Sequence, residues 1–343
     1  MKSTLHFLPV SVLAMLAGCA SLHAASTMTV ESPPVVFNEI WGYLIRGHES
    51  DLKGTEPFTH ICYFSADISN NGRITETVTR PQLPAGPGAP PRIFLVVTEL
   101  SNSALLHFSL SPDYGLRPLL IGDICKVSSD FDGVQIDFEA VSPDDAQAFW
   151  DFLRELRSQL PADKMLSVAL PARTAPKDDA YSYVKVAPLV DRVMIMAYDQ
   201  HWSGSTPGPI ASLPWCSDVL QFVQSVVAND KIVMGLPLYG RAWQDKKVSR
   251  ALGFEGIQNI MTEKKPAASY KSDLGPNFQY SENVNVTVYY DDVRSLREKL
   301  LLYQSRNVKS VAFWRIGLSP SDLWDSVGTV PSVTMPTADQ VSP

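Results

Sequence analysis

Residues 132–139 read Asp-Gly-Val-Gln-Ile-Asp-Phe-Glu, and their alternation of polar and apolar side chains points to one fold class. Side chains alternate across a β-strand, so Gln135, Asp137 and Glu139 share one face and apolar side chains share the other. A solvated edge strand would expose such a polar face, but the other strand candidates are apolar on both sides, as central strands are. A buried polar column needs partners, and the lumen of a (β/α)8 barrel can provide them. We therefore predict such a barrel, with Glu139 nearest the carboxyl-terminal rim, where barrel active sites lie.

The chain around this stretch alternates short apolar runs with helical patterns, which is typical of βα units in a parallel sheet. The eight strand candidates are Phe37–Ile45, Thr59–Phe64, Arg92–Thr98, Gly133–Glu139, Leu166–Leu170, Arg192–Tyr198, Ile232–Leu238 and Ser310–Trp314. Eight strands close a barrel, whereas an open doubly wound sheet would be expected to carry a Gly-rich phosphate loop after its first strand. The predicted fold class is α/β, a TIM barrel. A short insertion between strands seven and eight is predicted over the barrel top, because the periodicity weakens from Trp243 to Thr287.

The first residues predict a secretory signal. Lys2 precedes an apolar run from Leu5 to Leu16, which is too short to span a bilayer. The run ends in Leu-Ala-Gly-Cys at residues 16–19, which resembles the bacterial lipoprotein signal, in which Cys19 is lipidated. Ordinary cleavage near His23 is the alternative.

These patterns divide the chain into four segments. They are a lipoprotein signal peptide at 1–18, a tether at 19–34, the barrel at 35–325, and a disordered tail rich in Ser, Thr and Pro at 326–343. The expected location is the cell envelope, lipid-anchored through Cys19 at the outer membrane or the outer cell surface. The alternative cleavage predicts a secreted or periplasmic protein.

Composition excludes some classes of partner. The chain has 343 residues and a formal net charge of −7, which provides no electrostatic footprint for nucleic acid. Apart from Cys19, the cysteines are Cys62, Cys125 and Cys216, which allow at most one disulfide, and whether it forms stays open. No Cys or His pair has the spacing of a zinc site, so we expect no metal and no cofactor.

Asp137 and Glu139 are the candidate catalytic carboxyls. Two carboxyls on one face of a strand perturb each other, and like charge together with burial should keep one of them protonated near neutral pH. Glu139, nearest the rim, can then serve as a general acid while Asp137 modulates it. Both carboxyls lie on one strand and cannot easily flank a sugar, so a nucleophile from elsewhere, including the substrate itself, is needed.

Residues 132–139 resemble the Asp-x-x-Asp-x-Asp-x-Glu signature of glycoside hydrolase family 18, the chitinase family. Met196-Ala197-Tyr198-Asp199 is similar to the family's Met-x-Tyr-Asp at the end of strand six. The resemblance implies that Glu139 protonates the glycosidic oxygen while the substrate's N-acetyl carbonyl attacks the anomeric carbon, and that Asp137 orients this acetamido group. It further implies that Tyr198 hydrogen-bonds the acetamido oxygen and that Asp199 contacts the sugar.

The resemblance also supplies candidate substrate-binding residues. Trp314 fits the residue that floors the sugar at the cleavage site, and its apolar ring suits a pyranose face. The other candidates are Gln135, Tyr43, Met196, Trp202 and Arg315. Arg315 would either pair with a carboxylate in the lumen or bind an acidic, muramyl-type substituent.

Two further stretches suggest a branch of the family. Residues 199–204 (Asp-Gln-His-Trp-Ser-Gly) and 207–212 (Pro-Gly-Pro-Ile-Ala-Ser) are similar to barrels of spore-cortex hydrolases and polysaccharide-deacetylase fusion proteins. The insertion has their short form, which predicts a shallow, open cleft. Two departures stand out. Gln135 replaces a third Asp, which suggests a reduced rate or a shifted pH optimum, and Glu99 ends strand three as a substrate contact or a surface acid.

The sequence therefore predicts retaining, substrate-assisted hydrolysis of β-1,4-linked N-acetylglucosamine glycans, with peptidoglycan or an exopolysaccharide ahead of chitin. The expected partners are this glycan and, through Cys19, a membrane; the protein is expected to be a monomer. One alternative is a catalytically weak or silent glycan-binding lipoprotein. Another is an interaction or surface-display lipoprotein that uses the barrel only as a scaffold.

Overall fold

The computed structural model describes residues 32–245, 249–281 and 284–330. The predicted signal peptide, Cys19 and most of the tether lie outside the described residues, as do residues 331–343. The strands are β1 (Val35–Phe37), β2 (Glu39–Ile45), β3 (His60–Asp67), β4 (Arg92–Glu99), β5 (Gly133–Phe138), β6 (Met165–Pro171), β7 (Arg192–Met196), β8 (Ile232–Pro237), β9 (Tyr239–Gln244), β10 (Ser249–Gly253), β11 (Ala268–Lys271), β12 (Gly275–Ser281), β13 (Asn285–Tyr289), β14 (Ser310–Trp314) and β15 (Val327–Thr329).

The helices lie mainly between the strands of the barrel. They are α1 (Ser103–Leu110), α2 (Arg117–Val127), α3 (Ala146–Gln159), α4 (Tyr183–Val186), α5 (Leu213–Val226), α6 (Phe254–Lys264) and α7 (Val293–Ser305). Short 3-10 turns occur at Glu49–Asp51, Pro112–Tyr114, Pro143–Asp145, Ala187–Leu189 and Leu323–Ser326. None of the helices in the described parts of the chain is long and apolar enough to cross a membrane.

Eight parallel strands close into a barrel in the order β14-β2-β3-β4-β5-β6-β7-β8. All eight predicted strands are present, so the predicted (β/α)8 fold is confirmed. The first predicted strand, Phe37–Ile45, spans two elements, because β1 pairs with β15 and the chain enters the barrel only after Asn38. The predicted strand six ends at Met196, which places Tyr198 just beyond the regular sheet.

The apolar face of β5 packs against the helical layer. Val134, Ile136 and Phe138 are buried in the core between strands and helices, and the ring of Phe138 lies 5.6 Å from that of Phe152 on α3. With the outward face committed to α3, alternation turns the polar face of β5 into the lumen. The packing of one helix thus orients the candidate catalytic column.

The insertion between β8 and β14 is an ordered unit. Strands β10-β9-β13-β12-β11 form an antiparallel sheet, and α6 packs with this sheet around a core of its own that includes Ala242, Ile257, Phe278 and Val288. Its strands have only four to seven residues and their outer faces are exposed, so the sequence shows no long periodic pattern. The insertion was predicted, but its sheet was not.

The predicted carboxyl-terminal boundary of the barrel domain at residue 325 needs correction. Residues Val327–Thr329 form β15, which pairs in parallel with β1, and Val327 and Val35 are both buried. Burial of these valines holds this part of the predicted tail on the barrel domain. The disulfide question is also answered, because Cys62, Cys125 and Cys216 are free thiols.

Candidate active site

A cavity of about 250 Å³ opens at the carboxyl-terminal end of the barrel. Its lining residues come from the ends of several barrel strands and from the insertion. They are Tyr43, Ile45, Phe64, Leu100, Asp137, Glu139, Met196, Tyr198, Asp199, Tyr239, Trp314 and Arg315. Most of the predicted site residues thus lie together around one cavity, as expected for groups that follow parallel strands.

Asp137 lies deep in this cavity and is almost fully buried. Its Oδ1 has no hydrogen-bond partner among the described residues. Burial, and after it the nearby charge of Glu139, raises the pKa of Asp137 to about 8. The carboxyl is therefore mostly protonated at neutral pH, and of the two acids this deeper one has the more strongly raised pKa.

Glu139 follows the last residue of β5 and is open to solvent at the cavity mouth. Its backbone N–H donates to the carbonyl of Glu99, 2.9 Å away, so the peptide stays in register with the neighbouring strand. The pKa of Glu139 is raised, first because the surrounding protein desolvates the carboxyl and then because Asp199 carries a like charge. A raised pKa suits a group that must hold a proton until it gives it to a leaving oxygen.

Tyr198 and Asp199 follow β7, which lies two strands from β5 in the barrel. Burial, and then the charge of Asp137, raises the pKa of the Tyr198 phenol well above its ordinary value, so the phenol remains a donor. Asp199 has a φ of 59°, a left-handed conformation that few non-glycine residues adopt. Its Oδ1 accepts a hydrogen bond from the Tyr239 hydroxyl at 2.5 Å and lies 3.8 Å from Nη2 of Arg241.

Tyr239 is a cavity residue that the sequence analysis did not select. It begins β9, two residues after β8 ends, and it joins the insertion to Asp199. The sequence does carry a signal for Tyr239. It lies two residues beyond Pro237, the end of β8, and residues two apart along an extended segment share a face.

Aromatic rings form one wall of the cavity. The ring of Trp314 meets those of Tyr43 and Phe64 edge-on, each at a centroid distance of 5.1 Å. This side of the cavity therefore presents flat apolar surface, which suits the apolar face of a pyranose ring. Met196 completes the lining on the side of β7.

Gln135 lies below the cavity, not in its lining. It is fully buried, accepts a hydrogen bond from the Tyr43 hydroxyl and donates from Nε2 to Ser167 Oγ at 3.1 Å. Its prediction as a substrate-binding residue is corrected, because both ends of the amide are used inside the barrel. Gln135 instead fixes the hydroxyl of Tyr43, which does line the cavity.

With this geometry in place, comparison with known proteins identifies the family. The model of glycosyl hydrolases family 18 matches residues 121–318, which is more than half of the chain. The chain belongs to this family. It is a glycoside hydrolase, as its sequence signature implied.

Several family 18 relatives are similar over much of the barrel. The cortical fragment-lytic enzyme of Bacillus anthracis is 27% identical over 294 residues, which cover 79% of this chain and 68% of that protein. YdhD of Bacillus subtilis (strain 168), a candidate sporulation-specific glycosylase, is 35% identical over 202 residues, which are 55% of this chain and 47% of its own length. The chain thus spans about half the length of this second relative.

Solved structures share the family 18 fold. The spore cortex-lytic enzyme SleL of Bacillus cereus superposes with a TM-score of 0.75 at 23% identity, over 85% of this chain and 75% of that one. A class V chitinase from Nicotiana tobaccum superposes with a TM-score of 0.68 at 19% identity, over 84% and 97% of the two chains. At these identities the likeness concerns the fold alone.

Two residues depart from the expected family 18 site. Trp202 was predicted to bind substrate, but 55% of it is exposed and it does not line the cavity. Its ring instead covers Gly204, since a Cβ there would lie 2.5 Å from the indole. Glu99 accepts hydrogen bonds from the backbone N–H groups of Ser101 and Asn102, at 3.0 and 2.7 Å. This carboxylate therefore organises the chain just before α1.

Proposed function

We propose that the chain hydrolyses β-1,4-linked glycans containing N-acetylglucosamine, with retention and with the substrate's acetamido group as nucleophile. The observation that carries the proposal is the pair of acids in one cavity. Asp137 is buried, neutral and partly unpaired, and Glu139 stands above it at the mouth. The other acid of the described lining, Asp199, has its Oδ1 engaged by the Tyr239 hydroxyl at 2.5 Å, which favours the acetamido group as the nucleophile.

In the first step Glu139 gives its proton to the glycosidic oxygen, and the bond from that oxygen to the anomeric carbon breaks. The carbonyl oxygen of the N-acetyl group forms a new bond to the anomeric carbon, which closes a positively charged ring. The Oδ1 of Asp137, which has no partner among the described residues, accepts a hydrogen bond from the acetamido N–H and so orients the acetamido group. The Tyr198 hydroxyl donates to the same acetamido group and holds it in position for attack.

In the second step the ionised Glu139 takes a proton from water, and the water oxygen attacks the anomeric carbon. The ring formed in the first step opens and the acetamido group is restored. Glu139 is then protonated again for the next cycle, and two displacements at one carbon give net retention. Both steps use Glu139, which explains why one carboxyl at the mouth suffices.

A bacterial wall or matrix glycan is the proposed substrate class, ahead of chitin. The relatives named as cortical fragment-lytic enzymes and the sequence motifs at 199–212 support this class. The alternative is a weakly active or silent glycan-binding protein. Gln135 favours this alternative, because it replaces an Asp of the family signature and so removes a charge from beneath Asp137 and Glu139.

A substrate panel tests the proposal. Protein beginning at Ser21 would be incubated with chitooligosaccharides, with their de-N-acetylated analogues and with purified peptidoglycan, and the products read by mass spectrometry. We expect cleavage only where the acetamido group is present, because it is the nucleophile. Cleavage of de-N-acetylated chains would contradict the mechanism. Binding without cleavage of any substrate would favour the silent glycan-binding alternative.

We further propose that Cys19 carries a lipid that anchors the protein, a monomer, in the cell envelope. The sequence at residues 16–19 supports the lipid anchor. Full-length protein expressed in a bacterium fed a labelled fatty acid should take up label and fractionate with membranes. Cys19→Ala should lose both properties, with Cys125→Ala as the matched control. Equal labelling of both variants would show that Cys19 is not the lipidation site.

A further inference from the structure

Arg315 is a positively charged residue in the cavity lining. Among the described lining residues it is the only cation, against the three acids Asp137, Glu139 and Asp199. A neutral sugar needs no such group, whereas an acidic sugar would be repelled by the charge of Asp199 unless a cation compensated. The placement of this cation therefore bears on which glycan the cavity accepts.

The barrel order puts Arg315 across the cavity from the proposed acid. Arg315 follows β14 and Glu139 follows β5, and these strands are four places apart in a ring of eight. They are thus diametrically opposed, with the aromatic wall of Trp314 beside Arg315. A sugar chain that spans the cavity presents one side to Glu139 and its other side to Arg315.

The guanidinium is only partly engaged by the protein. Nη1 donates to the carbonyl of Ile316 at 3.2 Å and lies 3.6 Å from Asp51 Oδ2. That separation is longer than the ordinary 2.7–2.9 Å of charge-assisted hydrogen bonds. No described residue accepts a hydrogen bond from Nε or Nη2 of Arg315, and the side chain is 23% exposed. One edge of the fork is available for a carboxylate.

We propose that Arg315 binds the carboxylate of an acidic sugar that neighbours the reacting N-acetylglucosamine, and so selects acidic over neutral glycans. The inference rests on the proposed function, since it names a property of the same site's substrate. A muramyl lactyl group and a uronic acid both offer such a carboxylate. Asp51 competes for the guanidinium and keeps it oriented when no glycan is bound.

The test measures binding in a Glu139→Gln background, so that it does not depend on turnover. The probes are peptide-free glycan strands of alternating N-acetylglucosamine and N-acetylmuramic acid, the same strands with the carboxyl reduced, hyaluronan hexasaccharide as a uronate source, and chitohexaose. Adding Arg315→Gln should weaken binding of an acidic probe by about tenfold to a hundredfold relative to chitohexaose. Reducing the carboxyl should remove this difference.

Two further variants keep the test independent of folding. Arg315→Lys retains the charge but not the fork and should give an intermediate loss, while Asp51→Asn should strengthen binding of the acidic probe severalfold. Arg46→Gln is the matched control, because Arg46 lies at the same rim and is paired with Glu76 at 2.6 Å. The muramyl and uronate arms distinguish the two carboxylate sources.

Equal loss of acidic and neutral probes in Arg315→Gln would overturn the assignment, as would selectivity that survives in it. Failure of the hydrolytic proposal would look different. The substrate panel would then show no cleavage by protein with Glu139 intact, whatever the binding ratios are.

Discussion

Glu139→Gln is expected to lower kcat on an N-acetylated glycan by roughly two to four powers of ten, the usual contribution of general acid–base catalysis. Glutamine has nearly the same shape but no proton to give and no charge with which to activate water. The change lies at the cavity mouth, where Glu139 is open to solvent, so the fold should be unaffected. Initial rates and binding by calorimetry on the same oligosaccharide would separate lost turnover from lost affinity.

Glu99→Gln is the matched control for this prediction. Glu99 ends the neighbouring strand β4, but its carboxylate receives backbone N–H groups outside the cavity lining. The control should therefore keep its kcat. If Glu139→Gln turned over at the wild-type rate, the acid would have to be another carboxyl of the cavity, and the proposed mechanism would be wrong.

Asp137→Asn is expected to impair catalysis and, as pH rises, to stabilise the fold. The pKa of Asp137 is about 8 in the folded protein, against about 3.9 for an unperturbed Asp, because the carboxyl is buried with one oxygen unpaired. The folded protein thus holds this proton more tightly than the unfolded chain does. Wild-type stability should fall as pH rises from about 4 to about 8, and level off above that.

The expected effect of Asp137→Asn on stability is large for a single substitution. The full difference in pKa corresponds to a penalty on the order of a few kcal/mol, and asparagine does not incur it because it cannot ionise. Melting temperatures at pH 5 and pH 8 should show the advantage of Asp137→Asn growing by several degrees. The kcat should fall about a hundredfold, as when an oriented polar partner of the transition state is removed.

Asp123→Asn is the control, because the pKa of Asp123 is shifted in the opposite direction from that of Asp137. Its hydrogen bonds with Arg73 lower the pKa of Asp123 below its ordinary value, so the carboxylate is ionised in folded and unfolded protein alike above pH 5. Its destabilisation should be the same at pH 5 and pH 8. If the change in stability caused by Asp137→Asn were also the same at pH 5 and pH 8, Asp137 would have to be ionised in the folded protein already at pH 5.

The barrel could be predicted because its signals are local. Each strand is a run of a few apolar residues, and the alternation at 132–139 is visible without any partner strand. The unpredicted parts depend on contacts between distant residues. Pairing of β1 with β15 joins the two ends of the described chain, and the sheet of the insertion is assembled from strands too short to show a period.

The site divides in the same way. Parity along β5 correctly placed Asp137 and Glu139 in one lumen, but it could not show that Gln135 is enclosed beneath Tyr43 or that the Trp202 ring covers its own loop. Tyr239 belongs to the site because it follows β8, the neighbour of β7, so that its hydroxyl reaches Asp199.

The strand pattern, the candidate acids and their order from lumen to rim can be inferred from the sequence, because they depend on residues two apart along one strand. The charge states and surroundings of these acids depend on the folded chain. The proton on Asp137, the hold of Tyr239 on Asp199 and the free edge of Arg315 arise from burial and from partners brought together by barrel closure. Desolvation and electrostatic interactions depend on distance in space, and separation along the chain does not reveal it.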